Sequence, residues 1–60
     1  MNLYEEFRQR MEAATTRAEL AEAYREACEA CYNGAKLMPF ELEELSGLYV
    51  DRCGDNGWNL

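Results

Sequence analysis

The sequence has no histidine, no isoleucine, one proline, one valine and six basic residues against twelve acidic ones. Each shortage excludes something. Without histidine, catalysis lacks its commonest general base, and a zinc site would have to be built without imidazole. One Val, no Ile and two Thr leave almost nothing that favours strands. No apolar run approaches the roughly 20 residues of a membrane span, and no apolar signal segment follows the first methionine. A net charge of −6 and a pI near 4.4 disfavour direct contact with a phosphate backbone. Leu, Val and Phe together number only ten, a level that flags disorder in a chain of this charge.

What is present pulls the other way. Four Tyr, two Phe, one Trp and three Met carry much buried area per residue and favour an ordered chain. Sixty residues allow one small domain, and such a domain buries only about 60% of its unfolded surface. The expectation is an ordered but lightly cored domain that gains burial from a second copy or a partner. Ala, Glu, Leu and Arg dominate, and all four favour helix.

The spacing predicts three helices. The first covers about 2–14: Asn2 and Glu5 have capping-box spacing, and Leu3, Phe7, Met11 and Ala14 recur at helical intervals beside Tyr4. The second covers about 17–33. Thr16 and Glu19 form a second box, Leu20, Tyr24, Ala27, Cys28 and Cys31 make a stripe flanked by Ala23 and Ala30, and Asn33-Gly34 reads as a left-handed stop. The third covers about 39–53. Pro39 suits a first turn, Leu42, Leu45, Leu48 and Tyr49 face one way with Met38 and Cys53 near them, and Gly54 closes the helix. Gly47 lies inside it at a cost of about 1 kcal/mol relative to Ala, which either close packing or plain tolerance would explain. Residues 54–60 read as a turn-rich tail. The fold class expected is all-α, a small bundle of three short helices with the second central, open to completion by dimerisation. Its core is expected to draw on Leu3, Phe7, Met11, Leu20, Tyr24, Ala27, Cys31, Leu42, Leu45 and Tyr49.

Charge is unevenly spread. Residues 37–60 hold Glu41, Glu43, Glu44, Asp51 and Asp55 against Arg52 alone, a net of −4, while 1–16 and 17–36 are each −1. Acids at the start of a helix are favoured by its dipole, so local helix design and solubility explain part of this. The functional reading is an acidic face that meets a basic surface on another protein, since complementary charge speeds association and selects partners. Aromatic residues off the core stripe bear on the choice. Phe40 falls on the far side of the third helix from Leu45, Tyr32 at the edge of the second, and Trp58 in the tail. Either Phe40 packs under the connector and Trp58 folds back on the bundle, or one or more are exposed anchors of the kind enriched in binding hot spots.

Chemistry has less support. Cys28 and Cys31 have C-x-x-C spacing, but with Cys53 distant they do not make the paired sets of a structural zinc site. Nor does a strand precede them as in thioredoxin-type motifs. They read as small core residues in a reduced cytosolic setting, ahead of a metal shared between subunits or a redox pair. No Gly-rich phosphate loop or nucleophile-like Ser occurs, Glu43 and Glu44 point apart on a helix, and so short a chain has little room for a water-excluding pocket. The expectation is a protein that is not an enzyme, with no cofactor, no metal and no catalytic residue.

The helix at Tyr4–Phe7, Ala13-Ala14-Thr15-Thr16 leading to Glu19-Leu20, Asn33-Gly34, and Pro39 followed by Glu41-Leu42-Glu43-Glu44-Leu45 and Leu48-Tyr49 together resemble short acidic helical proteins of phages and mobile elements. The resemblance spans residues 2–53. Some such proteins block host defence, anti-CRISPR inhibitors among them, by occupying a nucleic-acid site with acidic side chains. It implies an inhibitor in the host cytoplasm whose protein partner has a basic surface, with no direct nucleic acid and no membrane. The partner-binding residues expected are Glu41, Glu43, Glu44, Asp51, Asp55, Phe40 and Trp58. The chain is also similar in size and helicity to the Rop-like hairpin that dimerises into a four-helix bundle and binds RNA. Its dispersed bases depart from an RNA-binding face, so that similarity implies a structural or regulatory homodimer as the alternative.

Overall fold

Asn2, Thr16 and Pro39 each start a helix where their chemistry directs. The computed structural model describes residues 2–58 and contains α1 (Leu3–Ala13), α2 (Arg17–Tyr32) and α3 (Pro39–Asn56), with no strand among the described residues. Asn59 and Leu60 of the expected tail lie outside them. Asn2 is extended and its Oδ1 accepts the Glu5 N–H at 2.9 Å. Thr16 is extended and its Oγ1 accepts the Glu19 N–H at 3.2 Å. At this second cap the Glu19 carboxylate reaches back past Thr16, accepting from the Thr15 N–H at 2.8 Å and the Thr15 hydroxyl at 2.7 Å. These bonds, the backbone one first, hold the Glu19 carboxyl below its ordinary range. At α3 the cap is reversed in source: Glu41 accepts the Met38 N–H at 3.0 Å, so a helix whose N-cap residue is Met still has an orphan donor satisfied.

Two expected stops lie elsewhere. Asn33 is right-handed and Gly34 has no positive φ; the left-handed residue is Ala35, at φ 52°. The Lys36 N–H closes that wider turn on the Ala30 carbonyl at 2.8 Å, and the turn delivers Leu37 into the core at 3% exposure. Gly54 does not end α3. The helix runs through it to Asn56, and Gly57 takes the left-handed position at φ 69°. The Trp58 N–H then bonds the Cys53 carbonyl at 2.8 Å and the Gly57 N–H the Gly54 carbonyl at 3.3 Å, a Schellman ending. The tail therefore begins three residues later than its composition suggests.

Each helix touches the other two, α2 the most extensively by a small margin. Within a 32 × 20 × 16 Å body, the core takes Phe7, Met11 and Ala14 from α1 and its end, and Leu20, Ala23 and Ala27 from α2. Leu42, Leu45 and Cys53 of α3 and Leu37 of the connector complete it. Burying a Leu, Phe or Met side chain contributes about 1.5–3 kcal/mol. Leu3, Tyr24, Cys31 and Tyr49, expected inside, are half-buried around this centre, because in so small a bundle the flanks of each stripe remain at the edge. The Tyr24 and Tyr49 rings close the α2–α3 edge with centroids 5.2 Å apart. Met38 is exposed, since its place as N-cap turns it out of the stripe. The three helices enclose Met11, Leu20 and Leu45 within one chain, unlike a two-helix Rop-like hairpin.

Polar ties bridge the same helices at the surface. Arg10 forks onto Glu26 at 2.9 and 3.1 Å, joining α1 to α2. The Tyr4 hydroxyl donates to Glu44 at 2.9 Å, joining α1 to α3. Arg52 turns inward from α3, and its Nη2 donates to the Ala14 carbonyl at the end of α1, at 2.7 Å. No helix among the described residues is long and apolar enough to cross a membrane.

Candidate docking face on α3

Successive residues of a helix are rotated by about 100°. On α3 that rotation sends Leu42, Leu45, Tyr49 and Cys53 inward. It gathers Phe40, Glu43, Glu44, Gly47, Val50, Asp51, Gly54 and Asp55 on the opposite side, and all eight are exposed. Phe40 is 63% exposed and Val50 50% exposed. The face runs about 22 Å, from Phe40 to Asp55, at 1.5 Å per residue.

Its charge is uncompensated. The three salt bridges among the described residues all lie in α1 and α2: Arg8–Glu12, Arg10–Glu26 and Arg25–Glu29. The pairing with Arg10 holds the Glu26 carboxyl below its ordinary range. On α3 no carboxylate has a cationic partner among the described residues. The one base in that segment, Arg52, sits on another side of the helix, bonded to Ala14 and stacked 5.9 Å from the Trp58 ring centroid. Its Nε is buried without a hydrogen-bond partner. The arrangement separates the only positive charge of α3 from four negative ones.

The seven residues expected to bind a partner divide in three. Glu43, Asp51, Asp55 and Phe40 stand exposed on the outer face. Glu41 and Glu44 have structural work: Glu41 caps α3 through Met38, and Glu44 accepts the Tyr4 phenol, which this bond holds above its ordinary pKa. Glu44 remains exposed and keeps its charge available at the edge of the face. Trp58 does not join them. It folds back, half-buried against the core and beside Arg52, because the left-handed Gly57 reverses the chain there. Tyr32, at 75% exposure, is an exposed aromatic at the end of α2.

Two glycines lie on this face, Gly47 and Gly54. At both Gly47 and Gly54 an added Cβ would meet no atom within 4 Å, and neither has a positive φ. Packing within the chain requires neither glycine, although each weakens the helix. Both follow Phe40 at intervals of seven residues, so the three share one line along α3.

The cysteines lie on the inner side. Cys53 is buried, Cys28 and Cys31 are half-buried, and all three are free thiols. The Tyr24 phenol beside Cys28 is lowered by its bond with the Ser46 hydroxyl, but burial and the thiol outweigh this and leave it raised. No group of three or more Cys, Asp and Glu side chains among the described residues is placed to hold a metal ion.

Comparison with protein-family models, curated proteins and solved structures finds no match.

Proposed function

We propose that the protein is a non-enzymatic binding module that presents the outer face of α3 to a basic surface on a protein partner. In its most specific form it is an inhibitor of phage type, which occupies the nucleic-acid site of a host protein such as a CRISPR effector. The observation that carries the reading is the exposure of Phe40 among Glu43, Asp51 and Asp55, with no cation paired to them among the described residues. An exposed aromatic supplies an anchor that charge alone lacks, and unneutralised carboxylates steer a cationic partner into register. Like charge works against pairing of two copies through this face, so the homodimer alternative would need another surface.

The test compares the wild-type chain with an E43Q/D51N/D55N variant and with Phe40→Ala, each used to capture proteins at about 50 mM and about 500 mM salt. The expected result is a partner with a basic site that is retained by wild type at low salt, released at high salt, and bound weakly by either variant. Equal retention by wild type and both variants contradicts the proposal. Self-association alone, insensitive to salt, favours the homodimer.

A further inference from the structure

We infer that the element docking on this face is a cationic α-helix, laid along α3 closely enough for the two backbones to approach at Gly47 and Gly54. The inference rests on the proposed acidic docking role and adds the shape of the partner. Phe40, Gly47 and Gly54 recur every seven residues, the interval at which two packed helices meet repeatedly along a seam. Space above both glycines is open and their backbone is helical. What they offer is a low ridge, which lets a neighbouring helix axis come to the near end of the usual 8–10 Å range. The exposed Phe40 ring at one end sets the register. Carboxylates flank the seam on both sides, with Glu43 on one and Asp51 and Asp55 on the other, so the helix that fits carries small or aliphatic residues in its seam and Lys or Arg beside it. A second copy of α3 carries acidic flanks of the same sign, and a phosphate backbone is negative too.

The experiment uses the full chain and a synthetic amphipathic peptide of about 18 residues, with an Ala/Leu seam and Lys/Arg flanks, long enough to cover the face as a helix. Its control has the same composition with alternating D-residues, so that no helix forms. The expected result at low salt is at least about tenfold tighter binding of the helical peptide. Gly47→Leu with Gly54→Leu should abolish that preference, while circular dichroism shows the variant folded and no less heat-stable than wild type. Equal affinity for the two peptides, with both lost in the E43Q/D51N/D55N variant, overturns the helix and leaves the acidic docking role standing. Binding of neither peptide overturns the docking role and the inference with it.

Discussion

The glycines of α3 allow one substitution to be tried at three sites with opposite expected signs. At Gly47 the helix extends eight residues back to Pro39 and nine forward to Asn56, so Ala gains the full interior advantage over Gly, about 1 kcal/mol. The added methyl meets nothing within 4 Å, so packing neither adds to this nor subtracts from it. For a domain of this size 1 kcal/mol moves Tm by about 4–8 °C. At Gly54 the space is equally open, but the last turn frays, and about half that gain is expected. At Gly57 the sign reverses. With φ at 69°, a Cβ costs about 1–2 kcal/mol in the left-handed region, partly offset by the stiffer unfolded chain. Gly57→Ala should therefore lower Tm by several degrees. Thermal melts followed by far-UV circular dichroism, on the three single variants, give the answer. If Gly47→Ala lowered Tm, or Gly57→Ala raised it, the assignment of Gly57 rather than Gly54 as the end of α3 would be refuted.

The carboxyls of Glu19 and Glu26 are held below their ordinary range by Thr15 and Arg10 respectively. Their contribution is fully present above the ordinary carboxylate pKa of about 4.3 and is lost as pH falls through the lower folded values. The gap in Tm between wild type and Glu26→Gln should be constant from about pH 6 upward and close below about pH 4; a gap that widens on acidification contradicts the assignment. Leu45→Ala, at a fully buried position where all three helices converge, should cost about 2–5 kcal/mol, enough to leave much of the chain unfolded in urea titrations starting from zero denaturant. Arg52→Ala removes the bond to the Ala14 carbonyl and the contact with Trp58, at an expected cost of about 1.5–3 kcal/mol in denaturant unfolding; an unchanged midpoint would mean the bond contributes nothing. Ala35→Gly relieves a left-handed alanine and should raise Tm by a few degrees, equivalent to about 0.5–1 kcal/mol.

Helix starts were readable because caps are local. Asn2, Thr16 and Pro39 need only their own neighbours, and each begins its helix at the place its chemistry indicates. Helix ends were less so. Asn33-Gly34 and Gly54 are composed as stops, but the left-handed turn falls at Ala35 and Gly57 instead, since packing of Leu37 and the return of Trp58 decide where the chain must reverse. The core stripe was legible in its centre and blurred at its edges: Met11, Leu20 and Leu45 repeat at helical spacing, whereas Leu37 belongs to no periodic pattern and enters through the turn. On α3, rotation by 100° put Phe40 opposite Leu45, as found. The bond from Met38 to Glu41 is a local cap three residues long, but no spacing rule could have shown that Glu44 would be engaged by Tyr4, or that Arg52 would turn inward to Ala14, because those contacts depend on how three helices meet. The isolation of negative charge on the outer face is a tertiary result built on a sequence bias.

Amide chemical-shift mapping by NMR tests the central claim most directly, with labelled chain titrated at low salt with the Lys/Arg-flanked helical peptide. The docking account predicts saturable shifts along the outer face of α3, from Phe40 through Gly47 to Asp55, with α1 and the inner side of α2 little changed. Shifts spread evenly over all carboxylate-bearing segments, or centred on α1 and α2, would contradict it and mark the acidity of α3 as a matter of solubility.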